Sequence, residues 1–109
     1  MASFDLASLF KHCSINTQCC ENQSLVGKKI ISDWRAGAQH EIDFYLGYAA
    51  KTGQDPNVGP ITISMPAISM IVDVGARKKE IDDANARALE YLNQLTGGCI
   101  KFALQLMGG

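Results

Sequence analysis

Apolar residues recur at helical spacing in two long stretches of the chain. Within 24–51, Ile31, Trp34, Ala38, Ile42, Tyr45 and Ala49 follow one another at steps of three or four, which aligns them as a heptad-like seam on one side of an α-helix. Within 75–95, Ile81, Ala84, Ala88, Leu92 and Leu95 repeat the rhythm. Oppositely charged residues four apart (Lys29 with Asp33, Lys79 with Asp83, Asp83 with Arg87) support both helices on their outer faces. A shorter stripe of Leu6, Leu9, Phe10 and Cys13 predicts an opening helix within 1–13, with Ser3 as N-cap and Asp5 in the first turn. The polar, cysteine-bearing stretch 14–23 reads as a loop.

The segment 52–74 changes period. Gly53, Asp55-Pro56 and Gly59-Pro60 are turn signals. After them Ile61, Ile63 and Met65 alternate with Thr62 and Ser64, the pattern of a half-buried strand, and Pro66 bends or ends it. Residues 67–74, apolar and β-branched, read either as a second strand or as the entry to the next helix. Gly97-Gly98 is placed at the C-terminal end of the second long helix. In the tail, 99–107, Ile100, Phe102, Leu104 and Leu106 alternate with more polar or smaller residues. That predicts a short strand paired with 61–65, with a helical turn as the alternative. The expected fold is therefore mainly α: two long helices in a hairpin-like arrangement, a short N-terminal helix, and a small two-stranded β element joining 61–65 to 100–106.

Two features count against a simple reading. Gly27, Gly37 and Gly47 fall inside the first long helix, and each costs about 1 kcal/mol relative to alanine. A helix over 24–51 would also be about 42 Å long, against a radius of gyration near 13 Å for a compact domain of this size. Either a glycine breaks the helix, or the molecule is elongated and covers its stripe by assembly.

Composition narrows the field. The chain has 109 residues, 47% of them hydrophobic and 19% charged, with a formal net charge of −1. One folded domain is expected. The small net charge gives no field that would attract nucleic acid, and it leaves little repulsion between copies. From Pro56 to Val72 the chain carries no charge. The opening residues lack the basic-then-apolar pattern of a secretory signal, and no uncharged run reaches the roughly 18 to 20 residues of a membrane span. Four cysteines without a signal imply free thiols in a reducing, cytoplasmic setting.

Candidate chemistry is sparse. His12, Cys13, Cys19 and Cys20 are metal-ligand residue types, but zinc wants four convergent donors. Adjacent Cys19 and Cys20 diverge, and Cys13 belongs to the apolar stripe, so no metal or other cofactor is expected. Cys99 reads as a small core residue. No spacing brings His12 or His40 to a cysteine as a catalytic base. The carboxylates Glu41/Asp43 and Asp82/Asp83 read as solvated helix faces. Arg77-Lys78-Lys79 is cancelled at once by Glu80, Asp82 and Asp83, a poor phosphate binder.

Three short motifs resemble known families without carrying them. Gly108-Gly109 resembles the terminus of ubiquitin-like modifiers in that dipeptide alone. The segment from Leu89 to Cys99 resembles a double-glycine leader but has Tyr91 at the usual acidic position. Trp34-Arg35-Ala36-Gly37 is one residue too long for the Trp-x-Gly turn of small secreted helical hairpins.

The function this suggests is a non-enzymatic structural protein that self-assembles into a homo-oligomer or filament. The expected contacts are Ile31, Trp34, Ala38, Ile42, Tyr45, Ile61, Ile63, Met65, Ile68, Ile71, Ile81, Ala88, Leu92 and Leu95. Its partners would be other copies of itself, with no nucleic acid and no small-molecule substrate. A protein-binding adaptor or chaperone-like module is the alternative, and insertion of 61–72 into a membrane as a hairpin around Pro66 is a third reading.

Overall fold

Two long helices and one β-hairpin make up most of the computed structural model, which describes residues 5–14 and 16–108. A 3₁₀ turn at Ala7–Phe10 is followed by α1 (Thr17–Lys51), the antiparallel strands β1 (Ile61–Met65) and β2 (Ile68–Val72), and α2 (Val74–Gly108). The expectation of a mainly helical chain with two long helices holds.

Short polar side chains set the helix ends. Asn16 Oδ1 accepts the backbone N–H of Cys19 at 3.1 Å, and Asp73 Oδ1 accepts that of Ala76 at 3.0 Å. Both are N-caps that satisfy a first-turn donor. At the far end of α1, Gly53 takes a positive φ of 69°, and the N–H of Gln54 returns to the carbonyl of Ala49 at 2.9 Å. A left-handed residue at this position is the usual way of closing a helix.

By contact density the chain divides into two units, Met1–Trp34 with Ala84–Gly109, and Arg35–Asp83. The first is centred on Leu6, Ile31 and Leu92, all 1% exposed or less, with Leu9, Phe10, Ala88 and Leu95 packed around them. Each fully buried aliphatic side chain there stabilises the fold by about 1.5–3 kcal/mol. In the second unit Ala38, Ile42, Tyr45, Ala49, Ile61, Ile63, Val72, Val74 and Ile81 are buried. Arg35 reaches Asp82 there at 3.0 Å.

Several boundaries differ from the sequence expectation. The stretch 14–23 is not a loop throughout, because the Asn16 cap lets α1 begin at Thr17. The opening helix is reduced to the 3₁₀ turn, where Asp5 Oδ1 accepts the N–H of Ser8 at 3.3 Å. Ser3, its expected cap, lies outside the described residues. The tail is helix and not strand, and Gly97-Gly98 lies inside α2 instead of ending it. The reason is the stripe: Leu92, Leu95, Cys99 and Ala103 continue at steps of three and four, and Ala103 is fully buried while Phe102, Leu104 and Leu106 are exposed. The true partner of 61–65 is therefore 68–72, joined through Pro66-Ala67 with Met65 opposite Ile68. Closing so short a loop costs far less entropy than recruiting a strand from the chain's end.

Only one glycine of α1 is required by packing. A Cβ at Gly27 would lie 2.6 Å from Leu92 Cδ1, whereas one at Gly37 or Gly47 would meet nothing within 4 Å, and the helix runs unbroken through all three. Gly27→Ala is expected to destabilise by about 1–3 kcal/mol through overpacking, and Gly37→Ala to stabilise by up to about 1 kcal/mol. Urea denaturation followed by circular dichroism measures both.

Candidate interaction edge and cysteine cluster

The hairpin has one apolar face and two dissimilar edges. Ile61, Ile63, Met65, Ile68, Met70 and Val72 share a face, since paired residues point the same way. Burial fades along it. Ile61 and Val72 are covered, Ile63 is covered while its partner Met70 is 40% exposed, and at the turn Met65 and Ile68 are both open. On the other face Ile71 is 74% exposed.

With a two-residue turn, Met65 and Ile68 form the closing hydrogen-bonded pair, so the backbone groups of Thr62 and Ser64 point away from β2. Side chains from and just after α1 occupy them. Thr62 N–H donates to Gln54 Oε1 at 2.7 Å, and Gln54 Nε2 donates to the Thr62 carbonyl at 2.9 Å. Ser64 N–H donates to the Tyr48 hydroxyl at 2.9 Å, which donates in turn to the Ser64 carbonyl at 3.1 Å. The free edge of β1 is thus closed. The matching outward groups on β2 are those of Ser69 and Ile71, and no described residue bonds to them. An uncharged strand with no proline and an open edge is a template for another strand.

The cysteines depart from expectation. None is free: Cys13 pairs with Cys19, and Cys20 with Cys99. Adjacent Cys19 and Cys20 do diverge to different partners, but the two bridges lie against each other. The sulfurs of Cys13, Cys20 and Cys99 are all within 4.8 Å of one another. Cys13 and Cys20 are buried. Asn16 positions Cys19 and Cys20 in the first turn of α1, and the α2 stripe carries Cys99 to them.

One buried-edge ion cluster joins the helices in the second unit. Arg77 forks onto Glu41, with Nε to Oε2 at 2.7 Å and Nη2 to Oε1 at 3.0 Å, and also reaches Glu80 at 3.1 Å. The Tyr45 hydroxyl donates to Glu41 Oε2 at 3.0 Å. The Arg77 hydrogen bonds hold the Glu41 carboxyl below its usual range despite desolvation, while burial, with Glu41 beside it, raises Tyr45. A charge-locked carboxylate of this kind is a structural pair, not a proton donor poised near neutrality.

Comparison with protein-family models, with curated proteins and with solved structures finds no match for the chain.

The residues expected to mediate contact between copies fall into two groups. Ile31, Ala38, Ile42, Tyr45, Ile61, Ile63, Ile81 and Leu92 are buried by the chain itself, and Trp34, Ala88 and Leu95 are half-buried. Met65, Ile68 and Ile71 remain exposed. Pattern reading passed over Ser69 and Met70, and over the capping roles of Tyr48 and Gln54. Strand alternation at 61–65 was the available signal, but which edge stays open depends on side chains brought back from α1.

Two outcomes follow for stability. In the chain-entropy picture, replacing both Cys20 and Cys99 by serine removes a bridge spanning 79 residues and costs about 4.5 kcal/mol. Replacing Cys13 and Cys19 removes one spanning 6 and costs about 2 kcal/mol. Denaturant midpoints compare the two. Glu41→Gln should destabilise by about 1 kcal/mol at neutral pH, discounted for its partial exposure. Because the folded carboxyl titrates below its unfolded value, this contribution is complete above the ordinary glutamate range and is lost as pH falls through the depressed value. The gap between wild type and Glu41→Gln should therefore narrow on acidification.

Proposed function

We propose that this chain is a non-enzymatic structural protein that forms a homo-oligomer through the open edge of β2. The carrying observation is the asymmetry of the hairpin: Gln54 and Tyr48 close β1 by four side-chain hydrogen bonds, while Ser69 and Ile71 on β2 have no such cover among the described residues. Met65, Ile68 and Met70 add exposed apolar surface at the same place.

Antiparallel pairing about a two-fold axis at Met70 sets Ser69 of one copy opposite Ile71 of the other, the register in which their outward backbone groups meet. Such an interface is isologous and closes on itself. With one edge open and one closed, the assembly supported is a dimer and not a filament. The seam residues serve the fold of each copy, and the hairpin serves the contact. Edge addition by a strand of a different protein uses the same groups, as in the adaptor reading. The self-complementary register of β2 favours the second copy.

Among the described residues no helix is long and apolar enough to cross a membrane. The two bridges support an oxidising compartment over the cytoplasmic setting that free thiols implied.

Light scattering and sedimentation across a concentration series test the reading. Wild type should be dimeric at tens of micromolar. Ile71→Lys, which places a charge on the edge without touching the core, should weaken association at least about tenfold, or 1.4 kcal/mol. Gln54→Ala combined with Tyr48→Phe should open the second edge and let growth continue past the dimer. A wild-type monomer throughout this range would refute the proposal.

A further inference from the structure

The four cysteines carry more than two staples require. A bridge spanning six residues constrains little unfolded chain, yet it sits directly against the bridge that spans most of the chain. Sulfurs from the segment before α1, from the first turn of α1 and from α2 thereby converge, with those of Cys13, Cys20 and Cys99 within 4.8 Å of each other and Cys19 bonded to Cys13. In a tetrahedral zinc–thiolate site the metal–sulfur distance is about 2.3 Å, which sets neighbouring sulfurs about 3.8 Å apart. The sulfurs of Cys13, Cys20 and Cys99 lie within a span that admits this separation, and Cys19 reaches the same place through its bond to Cys13.

We propose that, once reduced, Cys13, Cys19, Cys20 and Cys99 bind one Zn²⁺ as a tetrathiolate site, so that the cluster alternates between a double-disulfide and a metal-bound form. A dithiol reductant transfers two electrons and two protons to each S–S bond, breaking it and leaving two cysteine thiols while the reductant closes to its own disulfide. Zn²⁺ then binds four thiolates, and their four protons pass to solvent. The surroundings suit the added negative charge. Cys19 and Cys20 lie in the first turn of α1, where backbone N–H groups and the helix dipole favour thiolates. Lys11 lines a cavity of about 340 Å³ together with Cys13, Gln94, Cys99, Phe10 and Phe102, which opens a path for reductant and metal to the sulfurs. The two forms would hold the same three segments together in oxidising and in reducing surroundings.

The test is titration of the full-length reduced chain with Co²⁺ under anaerobic conditions, followed by Zn²⁺. One Co²⁺ per chain is expected, with thiolate-to-cobalt charge-transfer bands and the intense visible bands of a tetrahedral ion, both erased by Zn²⁺. Cys20→Ser and Cys99→Ser should each lose at least about 100-fold in affinity, no less than second-shell changes alone can cost. The oxidised protein should show no such bands. Metal titration does not need a folded starting state, and a thermal melt of the reduced chain should shift upward with Zn²⁺. Absence of the charge-transfer bands from the reduced chain, unchanged Co²⁺ affinity in Cys99→Ser, or appearance of the bands in the oxidised protein would each overturn the proposal.

Discussion

Each long helix has an apolar stripe, and the fold depends on that stripe being covered within the chain. Ile31 and Leu92 are sealed in one unit, and Ile42, Tyr45 and Ile81 in the other. The close approach that this demands is visible at Gly27, where Leu92 occupies the space any larger side chain would need. Overpacking there is costly because protein interiors are already close-packed. Once the seams are used up internally they are no longer free for partners, and the exposed apolar side chains that remain lie mainly on the hairpin and on the outer faces of both helices.

The hairpin shows how a small sheet manages its edges. Antiparallel pairing satisfies half of each strand's backbone groups and turns the other half outward. On β1 a glutamine amide and a tyrosine hydroxyl stand in for the missing strand, each both donating and accepting. Because Tyr48 lies in the last turn of α1 and Gln54 just past it, the helix terminus and the closed edge are built together, with the left-handed Gly53 between them. No equivalent side chains approach β2 among the described residues. A bare edge beside exposed Met70 and Ile71 is ordinarily an aggregation hazard, and pairing between two copies would bury it.

The sulfur cluster and the Arg77–Glu41 fork play comparable parts in separate units. Each ties α1 to α2 at one locus, the first covalently and the second by a two-point charge-assisted contact. Glu41 is held ionised by Arg77, and the sulfurs are engaged with one another. Their difference lies in chemistry: the ion pair responds to acid, the sulfurs to reductant and metal.

The sequence alone determined the helical periods and the strand at 61–65, because both are local patterns that backbone geometry reads directly. It also contained, unread, the caps at Asn16 and Asp73 and the stripe extending through Cys99 to Ala103. Tertiary structure decided the rest. Whether 99–107 formed strand or helix turned on Ala103 and Cys99 having somewhere to be buried, and alternation of apolar residues cannot report that. The pairing of cysteines 79 positions apart, and the choice of which hairpin edge stays open, depend on side chains that meet only after the chain has folded back, where sequence spacing carries no information about distance.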